Sequence, residues 1–375
     1  MKNIKAFKNP INVVKPILPD LTLVTKKLEE IWASGWLTNK GKQHEELEKR
    51  VTEYLKVVNT SLFCNGTLAL QIACQALDLK GEVITTPFTF PATTHVLHWN
   101  NLTPVFCDIE ENTYNIDPNK IETLITSKTT AIMPVHVFGN PCDVEKIQKI
   151  ADKYNLKIIY DAAHAFGVEI NGKPIGNFGD ISMFSFHATK IFHTIEGGAL
   201  TFGNNKLKNK IEQLKNFGLI DDVHVEGPGT NAKLNEVSAA VGILMFDSLE
   251  EEKKRRKALT NLYRKNLKNI PGIKVIPDLE KVKHNYYAMP ILINKSKYGL
   301  NRNVLFEKLK KYNIFARRYF YPLCSQYPCY AKLPSAKNLF IAEQITEEIL
   351  CLPLYGSLKK DEVEKICYIV KNITK

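Results

Sequence analysis

The sequence predicts an α/β protein with a mostly parallel central sheet and a smaller C-terminal α/β domain. The chain has 375 residues, more than one ordinary small domain needs. Between residues 57 and 202, short apolar runs alternate with segments of helical periodicity, and repeated β-α units form parallel sheets covered by helices. From Asp247 this alternation is replaced by a long charged segment of helical periodicity. We therefore divide the chain into residues 1–246, an N-terminal arm and large domain, and residues 247–375, a small domain.

The elements of the first part follow from apolar runs of strand length bounded by polar and turn residues. A helix is predicted over 23–33, and an irregular arm follows it over 36–41. The predicted strands are 57–63, 82–86, 103–107, 129–136, 157–161 and 181–186. The predicted helices between them are 67–77, 117–125 and 143–154.

The second part begins with a predicted helix over 247–267, which Pro271 and Gly272 end. Two strand-like runs follow at 273–276 and 286–293, and helical patterns then cover 302–312, 336–350 and 360–372. This mixture of a few strands with helices predicts a small α/β domain.

The net charge of +12 raises the possibility of a nucleic-acid ligand. The densest basic run, over 250–257, mixes acidic and basic residues at helical spacing, which is typical of a solvated helix face. No RNA-binding, helix-turn-helix or zinc-finger pattern occurs. The charge therefore indicates only a general attraction for an anionic substrate, and we expect no nucleic-acid partner.

Cysteine, histidine and hydropathy patterns restrict the compartment and the cofactors. None of the eight cysteines forms a C-x-x-C pair, and several lie in apolar runs, so we expect buried free thiols. His95 and His98 have no thiol or acidic cluster near them, so we expect no metal site. No stretch approaches the roughly 20 apolar residues that span a bilayer. The expected location is the cytoplasm, with no membrane partner.

Three short segments carry the chemistry: D-A-A-H at 161–164, S-F-H-A-T-K at 185–190 and E-G-G at 196–198. Asp161 ends one predicted strand and Lys190 follows the next, so the sheet would bring an acid and an amine to one edge. Pyridoxal phosphate (PLP) needs such a pair: the lysine forms a Schiff base, and the carboxylate keeps the pyridine nitrogen protonated. The alternative is that Lys190 is a solvated surface lysine and that Asp161 caps a helix.

At these segments the chain resembles the PLP-dependent nucleotide-sugar aminotransferases of fold type I (DegT-type), whose members carry D-A-A-[QH], then S-F-H-x-x-K, then E-G-G. The resemblance extends from S-G-W-L-T at 34–38 to L-P-L-Y at 352–355. It implies a large domain with a central seven-stranded sheet and a small C-terminal domain. Lys190 argues against the sugar dehydratases that resemble this family, because they have a histidine at that position.

The resemblance assigns roles to particular residues. Lys190 is the expected catalytic lysine, and Asp161 the expected partner of the pyridinium nitrogen. His164 would contact the 3′-oxygen of the cofactor, although a packed neutral histidine is the alternative. Phe90 would stack on the pyridine face, although it could instead be a core phenylalanine.

The phosphate of the cofactor is expected at the turn before the helix over 67–77, because a helix N-terminus attracts anions. Gly66 and Thr67 match the family's phosphate-binding turn, and Ser185 would add a hydroxyl. Asn231 matches an asparagine that reaches the cofactor of the neighbouring subunit, which would require a homodimer with shared active sites. Thr230 and Lys233 depart from the family's tyrosine and arginine in that segment.

The resemblance also indicates the substrate side. The expected substrate-binding residues are Trp36, Thr38, His187, His193 and Tyr321. The expected reaction is a ping-pong transamination, in which L-glutamate converts PLP to pyridoxamine phosphate and a nucleotide-linked keto sugar then takes the nitrogen.

The spacing of residues 190–198 is similar to members that act on 4-keto sugars, and residues 140–143 and 190–196 are most similar to enzymes that form TDP-4-amino-4,6-dideoxyglucose. The expected acceptor is therefore TDP-4-keto-6-deoxyglucose. Two alternatives stay open: a 3-keto or UDP- or GDP-linked sugar, and a PLP-binding regulator that does not turn over glutamate.

Overall fold

The structure is a computed structural model that describes residues 5–374. Its strands are β1 Ile11–Asn12, β2 Asn59–Phe63, β3 Glu82–Thr85, β4 Thr103–Phe106, β5 Thr129–Met133, β6 Lys157–Asp161, β7 Glu169–Ile170, β8 Lys173–Pro174, β9 Ile181–Ser185, β10 Gly198–Phe202, β11 Ile273–Val275, β12 Val282–Lys283, β13 Met289–Ile293, β14 Ile314–Phe315 and β15 Ile349–Leu352. Its α-helices are α1 Leu21–Ser34, α2 Lys42–Leu55, α3 Gly66–Ala76, α4 Pro91–Trp99, α5 Pro118–Ile121, α6 Val144–Tyr154, α7 Asn205–Leu214, α8 Glu236–Leu267, α9 Lys295–Tyr298, α10 Arg302–Lys310, α11 Phe340–Glu348 and α12 Lys360–Asn372.

A seven-stranded sheet in the order β2-β10-β9-β6-β5-β3-β4 forms the centre of the first part. The strands β4, β3, β5, β6 and β9 are parallel, whereas β10 is antiparallel to both of its neighbours. The predicted α/β class with a mostly parallel sheet is confirmed. The parallel arrangement brings the ends of β6 and β9 to the same edge of the sheet.

Several elements differ from the sequence prediction. The strand β10 and the helices α2, α4 and α7 were not predicted; β10 is buried along its whole length, so it shows no alternation of polar and apolar residues. The strand β5 ends before Pro134, because proline has no N–H to donate to a ladder. The predicted helix 336–350 is shorter, and its last residues belong to β15, which is fully buried and pairs with β13.

A buried carboxylate of α8 caps the start of α2, the helix that follows the N-terminal arm. The helix α1 ends at Gly35, whose φ of 67° suits glycine. The helix α2 begins without a side-chain cap of its own. Instead, Glu236, the first residue of α8, accepts hydrogen bonds from the backbone N–H groups of Gln43 at 2.9 Å and His44 at 2.7 Å.

The helix α8 has 32 residues and runs across the predicted division between residues 246 and 247. Ile243 and Met245, near its N-terminal end, pack with residues of α2 and the large sheet. Leu259 and Tyr263, near its C-terminal end, pack into the core formed by α10, α12 and the antiparallel sheet β11-β13-β15. Both parts of the chain therefore share one continuous helix, and the division into two domains stays a proposal. No helix within residues 5–374 is both long enough and apolar enough to cross a membrane.

We predict that Glu236→Gln destabilises the protein by about 1–2 kcal/mol. An amide keeps one acceptor but loses the charge, and hydrogen bonds to a charged group are worth about 1 kcal/mol more than neutral ones. Urea unfolding followed by circular dichroism measures the change. The control is Glu251→Gln in the same helix, where the carboxylate is 53 % exposed and pairs with Arg255, so the loss should stay below about 0.5 kcal/mol. Equal unfolding midpoints for the two variants would contradict the capping role.

Candidate active site

A cavity of about 260 Å³ opens where β6 and β9 end. The last residue of β6 is Asp161, and the last residue of β9 is Ser185. In a sheet of this kind ligands bind beyond the carboxyl ends of the strands, so this cavity is the expected position for a site. Lys190 lies five residues after β9 and borders the same cavity.

Asp161 presents a buried carboxylate to this cavity, with 4 % of the residue exposed. One carboxylate oxygen accepts from the hydroxyl of Thr93 at 2.7 Å, and the other accepts from the N–H of Ala163 at 3.0 Å. Burial raises the pKa of Asp161, while these hydrogen bonds and the charge of Lys190 oppose the rise. A buried anion in this position is stabilised by a cationic ligand.

Lys190 is held beside two tyrosines. Its Nζ lies 3.4 Å from the hydroxyl of Tyr287 and 5.1 Å from the centre of that ring. Burial of the amine lowers the pKa of Lys190 to about 8; the positive charge of Arg317 also lowers it, whereas Tyr319 and Asp161 raise it. At pH 7 about a tenth of this amine is therefore unprotonated, a far larger share than for an ordinary lysine, and this share can act as a nucleophile or a base.

His164 is buried and neutral. Its Nδ1 accepts a hydrogen bond from the N–H of Phe138 at 3.3 Å, so the proton of the neutral ring is on Nε2. The ring stacks on Tyr287 at 4.0 Å between centroids. Burial, with the charges of Lys190 and Arg317, holds the pKa of His164 well below its usual range. His164 can therefore act as a hydrogen-bond donor through Nε2 while remaining uncharged.

The N-terminus of α3 forms one wall of the cavity. Asn65 caps the helix by accepting from the N–H of Leu68 at 2.9 Å, while Gly66 and Thr67 border the cavity and have N–H groups without helical partners. The strand β10 crosses directly beneath this turn. A Cβ at Gly198 would lie 2.8 Å from the backbone of both Asn65 and Gly66, so the second glycine of the E-G-G segment is required by close packing.

Phe90 and Phe88 have different environments, although two positions separate them. Phe90 precedes α4, borders the cavity and is 53 % exposed. Phe88 is fully buried and packs edge-on against Tyr114, Phe138 and Phe320. Phe90 is thus the ring available to a ligand, and Phe88 belongs to the core.

The rim of the cavity contains a pair of ionisable groups. His187 Nε2 lies 3.4 Å from the carboxylate of Glu196, and His187 Nδ1 lies 2.7 Å from the hydroxyl of Thr189. Ile195, next to Glu196, has a φ of 69°, a strained backbone for a β-branched residue. Strain of this kind collects at functional sites, and Ile195 directly precedes Glu196 on the rim.

The cavity brings together most of the predicted residues, but five lie elsewhere. Asn231, Trp36 and Thr38 are exposed and do not border it. His193 is buried outside it: Nε2 lies 2.7 Å from the carbonyl oxygen of Ile17, and Nδ1 accepts from the N–H of Ile195. Tyr321 also lies outside the cavity, where the guanidinium groups of Arg302 and Arg318 stack on it.

Four residues of the second part of the chain border the cavity and were not predicted from the sequence. They are Tyr287, Arg317, Tyr319 and Phe320. The only sequence signal for them is the run R-R-Y-F-Y at 317–321, from which sequence reasoning selected Tyr321. Nothing in the spacing of that run shows which of its members turn toward the sheet.

Tyr287 is itself fixed by a buried ion pair in α8. Arg256 Nε donates to Glu252 at 2.6 Å, and Arg256 Nη1 donates to the carbonyl oxygen of Tyr287 at 3.2 Å. Glu252 also accepts from the N–H of Gly356 at 2.8 Å. The wall of the cavity beside Lys190 is thereby connected to the shared helix.

The residues present fit PLP. The buried carboxylate of Asp161 suits a pyridinium, the α3 N-terminus with Ser185 suits a phosphate, and Lys190 borders the same cavity. Within residues 5–374, no three His, Cys, Asp or Glu side chains are arranged to hold a metal ion.

Comparison with known proteins agrees with this geometry. The model of the DegT/DnrJ/EryC1/StrS aminotransferase family matches residues 22–371, so the chain belongs to that family and is an enzyme. A dTDP-4-amino-4,6-dideoxy-D-glucose transaminase from Shigella dysenteriae is 47 % identical over 368 residues, covering 98 % of this chain and 100 % of the relative.

Two solved structures extend the comparison. DesI, crystallised in the presence of its TDP-sugar product, has a TM-score of 0.95 and 34 % identity, covering 99 % of this chain and 94 % of DesI. The sugar aminotransferase Spr1654 from Streptococcus pneumoniae, solved in PLP and PMP forms, has a TM-score of 0.88 and 25 % identity, covering 96 % of this chain and 98 % of that one. The expected family and fold are confirmed, and the expectation of PLP is supported.

We predict that the amine of Lys190 reacts at a lower pH than an ordinary lysine. Burial disfavours the charged form, so the proton leaves near pH 8 rather than near pH 10.5. Competitive acetylation of the cofactor-free protein across pH 6–11, read by peptide mass spectrometry against a reference lysine peptide, gives the midpoint.

The variant Asp161→Asn tests the direction in which Asp161 shifts the pKa of Lys190. Asp161 raises the pKa of Lys190, so the amide should move the acetylation midpoint of Lys190 downward. A Lys190 midpoint equal to that of the reference peptide would refute the buried amine.

Proposed function

We propose that this enzyme transfers an amino group from L-glutamate to C-4 of TDP-4-keto-6-deoxyglucose, with PLP as its cofactor, giving TDP-4-amino-4,6-dideoxyglucose. The observation that carries the proposal is the meeting of a buried carboxylate, Asp161, and a lysine of lowered pKa, Lys190, in one cavity. The 47 % identity to a transaminase named for this product, over 98 % of the chain, supports the choice of sugar.

Each side chain around the cavity has a role toward the cofactor in this proposal. Bound PLP supplies an electron sink for the carbon that carries the amine. Asp161 holds the proton of the ring nitrogen, and His164 donates through Nε2 to the ring oxygen. Gly66, Thr67 and Ser185 bind the phosphate, and Phe90 covers one face of the ring.

Lys190 moves the proton during turnover. Because its pKa is lowered to about 8, Nζ would take the proton from the α-carbon of glutamate and pass it to the C4′ carbon of the cofactor. The hydroxyl of Tyr287, 3.4 Å away, orients the free amine. In the second half-reaction Nζ of Lys190 would move a proton in the reverse direction, from C4′ of the cofactor to C-4 of the sugar.

The substrate side of the site is assigned to the exposed rim of the cavity. His187 borders the cavity, and its pair with Glu196 is placed to contact the hydroxyl groups of a hexose. The open alternatives are a 3-keto sugar and a UDP- or GDP-linked sugar. A regulator without turnover is disfavoured, because the family is one of aminotransferases.

A homodimer with shared active sites accounts for the residues that lie outside the cavity. Asn231 is exposed, and the segment 217–225 that precedes it carries four exposed apolar side chains: Phe217, Ile220, Val223 and Val225, which are 50–80 % exposed. A groove of about 990 Å³ lies beside this segment, between α2 and α7. His44 borders that groove, and its buried Nε2 has no partner among residues 5–374. A second copy would cover these groups and would bring its Asn231 to this phosphate site.

The eight cysteines are all free, and six are buried. Free thiols are typical of a reducing compartment, which supports the cytoplasm as the location. The product, an amino sugar activated as a nucleotide, suits the synthesis of a surface polysaccharide such as lipopolysaccharide.

The first prediction concerns the sugar carbon that receives the amino group. Given L-glutamate with either TDP-4-keto-6-deoxyglucose or its 3-keto isomer, the enzyme should form a new C–N bond only at C-4, located by NMR. Lys190→Ala should lose more than about 1000-fold in rate. Lys157→Ala, which removes an exposed lysine paired with Asp180, should keep the wild-type rate. Amination of the 3-keto isomer alone would show that the sugar assignment is wrong.

The second prediction concerns assembly. Asn231→Asp places a negative charge beside the phosphate and should weaken cofactor binding at least about tenfold. Differently tagged Lys190→Ala and Asn231→Asp chains are co-expressed, and the mixed dimer is isolated. If Asn231 acts in trans, one site of this dimer has no lesion, and activity should return to about half of wild type.

If Asn231 instead serves its own subunit, the mixed dimer contains no intact site. Its activity would then not exceed the mean of the two parent dimers, and this outcome would exclude shared sites. Sedimentation of the active enzyme as a monomer would exclude them as well.

A further inference from the structure

Arg317 differs from every other arginine of the chain. Among residues 5–374, five of the seven arginines form ion pairs: Arg50, Arg255, Arg256, Arg264 and Arg302. Arg318 donates a hydrogen bond to Asn303 at 3.1 Å and stacks on Phe306. Within the described chain, the guanidinium of Arg317 forms no ion pair and donates no hydrogen bond. It stacks only on the ring of Tyr319, at 4.6 Å.

The backbone of Arg317 is nevertheless fixed. Its N–H donates to the carbonyl oxygen of Cys351 at 3.0 Å, and the N–H of Cys351 donates back at 2.8 Å. This antiparallel bridge attaches Arg317 to β15 in the core of the second part. The side chain is exposed and borders the cavity, so an unpaired guanidinium is presented from a rigid support.

The position of this charge is close to the reacting amine. Among the described residues 5–374, Arg317 and Lys190 are the only lysine or arginine residues that border the cavity. The positive charge of Arg317 lowers the pKa of Lys190 and of His164, so it disfavours protonation in the part of the site where the chemistry occurs. An unpaired guanidinium in such surroundings is complementary to an anion of the substrate.

Three anions enter this site if the proposed function holds: the phosphate of PLP, the diphosphate of the sugar nucleotide and the carboxylates of glutamate. The PLP phosphate is accounted for by the N-terminus of α3. The diphosphate is attached to C-1 of the hexose, several bonds from the reacting C-4. The α-carboxylate of glutamate, by contrast, is attached directly to the carbon that reacts at Lys190, and its planar pair of oxygens matches a guanidinium.

We propose, on the basis of this proposed function, that Arg317 binds the α-carboxylate of the amino donor and thereby selects α-amino acids. Arg317 is then a specificity-determining residue for the first half-reaction and has no role in the second. Its stacking on Tyr319 holds the guanidinium over the cavity while both half-reactions use the same space.

The test compares two donors that lead to the same product form of the enzyme. L-Glutamate and TDP-4-amino-4,6-dideoxyglucose each convert the PLP form to the aminated form, so one absorbance change reports both. Arg317→Gln should raise the apparent Kd for glutamate about 10- to 100-fold, as expected for a lost charge-assisted pair. The amino sugar should react within about threefold of wild type, and Arg317→Lys should give an intermediate value for glutamate.

Arg318→Gln is the matched control, because it removes the neighbouring guanidinium outside the cavity and should leave both donors within about threefold. A readout without turnover comes from calorimetric titration of the PLP-loaded enzyme with α-methyl-L-glutamate, which has no α-hydrogen to lose. Its affinity should fall in Arg317→Gln and not in Arg318→Gln. 4-Aminobutyrate lacks an α-carboxylate. The ratio of its apparent Kd to that of glutamate should therefore decrease about tenfold in Arg317→Gln.

An unchanged affinity for glutamate in Arg317→Gln would overturn the inference. An equal loss for both donors would also overturn it, because Arg317 would then bind the sugar nucleotide or position Lys190. A wild-type enzyme that reacts with glutamate but not with the amino sugar would refute the proposed sugar instead. The glutamate and α-methyl-L-glutamate measurements would still decide the role of Arg317 in that case.

Discussion

The burial of one carboxylate at the end of β6 constrains the rest of the site. Asp161 is 4 % exposed, and its two hydrogen bonds, from Thr93 and Ala163, only partly offset the loss of water. A charge in such surroundings is stabilised when a cation lies against it, and Lys190 is too distant to form a direct ion pair. The cavity therefore has a strong electrostatic preference for a positively charged ring at one end and, because of the α3 N-terminus, for an anion at the other. The position of the ligand follows from these two ends.

Part of this arrangement could be predicted because it follows from local periodicity and sheet geometry. Asp161 and Lys190 each follow a buried apolar run, and parallel strands deliver the residues after them to one edge. The packing of Gly198 under Asn65 and Gly66 gives the E-G-G segment a steric cause that the motif alone does not show. Lys190, Asp161 and the predicted phosphate turn at Gly66 and Thr67 all border one cavity.

The remainder could not be predicted, because distant segments supply it. Thr93 lies on α4, whose short span and two partly buried faces leave little periodicity. Tyr287 and Arg317 come from the second part of the chain and reach Lys190 only through the packing of that part against the sheet. In the run at 317–321, sequence reasoning favoured Tyr321, yet the backbone bridge between Arg317 and Cys351 places Arg317 and Tyr319 at the cavity and Tyr321 outside it. Which residues of this run border the cavity depends on the pairing of Arg317 with β15, and the residues of the run do not reveal that pairing.

The continuity of α8 has a consequence for how the enzyme exchanges its ligands. The helix contains no proline, and its middle turn is bound through Arg256 and Glu252 to both Tyr287 and Gly356. A hinge between the two parts would have to break hydrogen bonds within this helix or separate that buried pair. The wall beside Lys190 is therefore preorganised rather than assembled on binding. Donor and acceptor then exchange through the exposed border of the cavity, where Phe90, His187, Glu196 and Arg317 lie, without a movement of the second part as a whole.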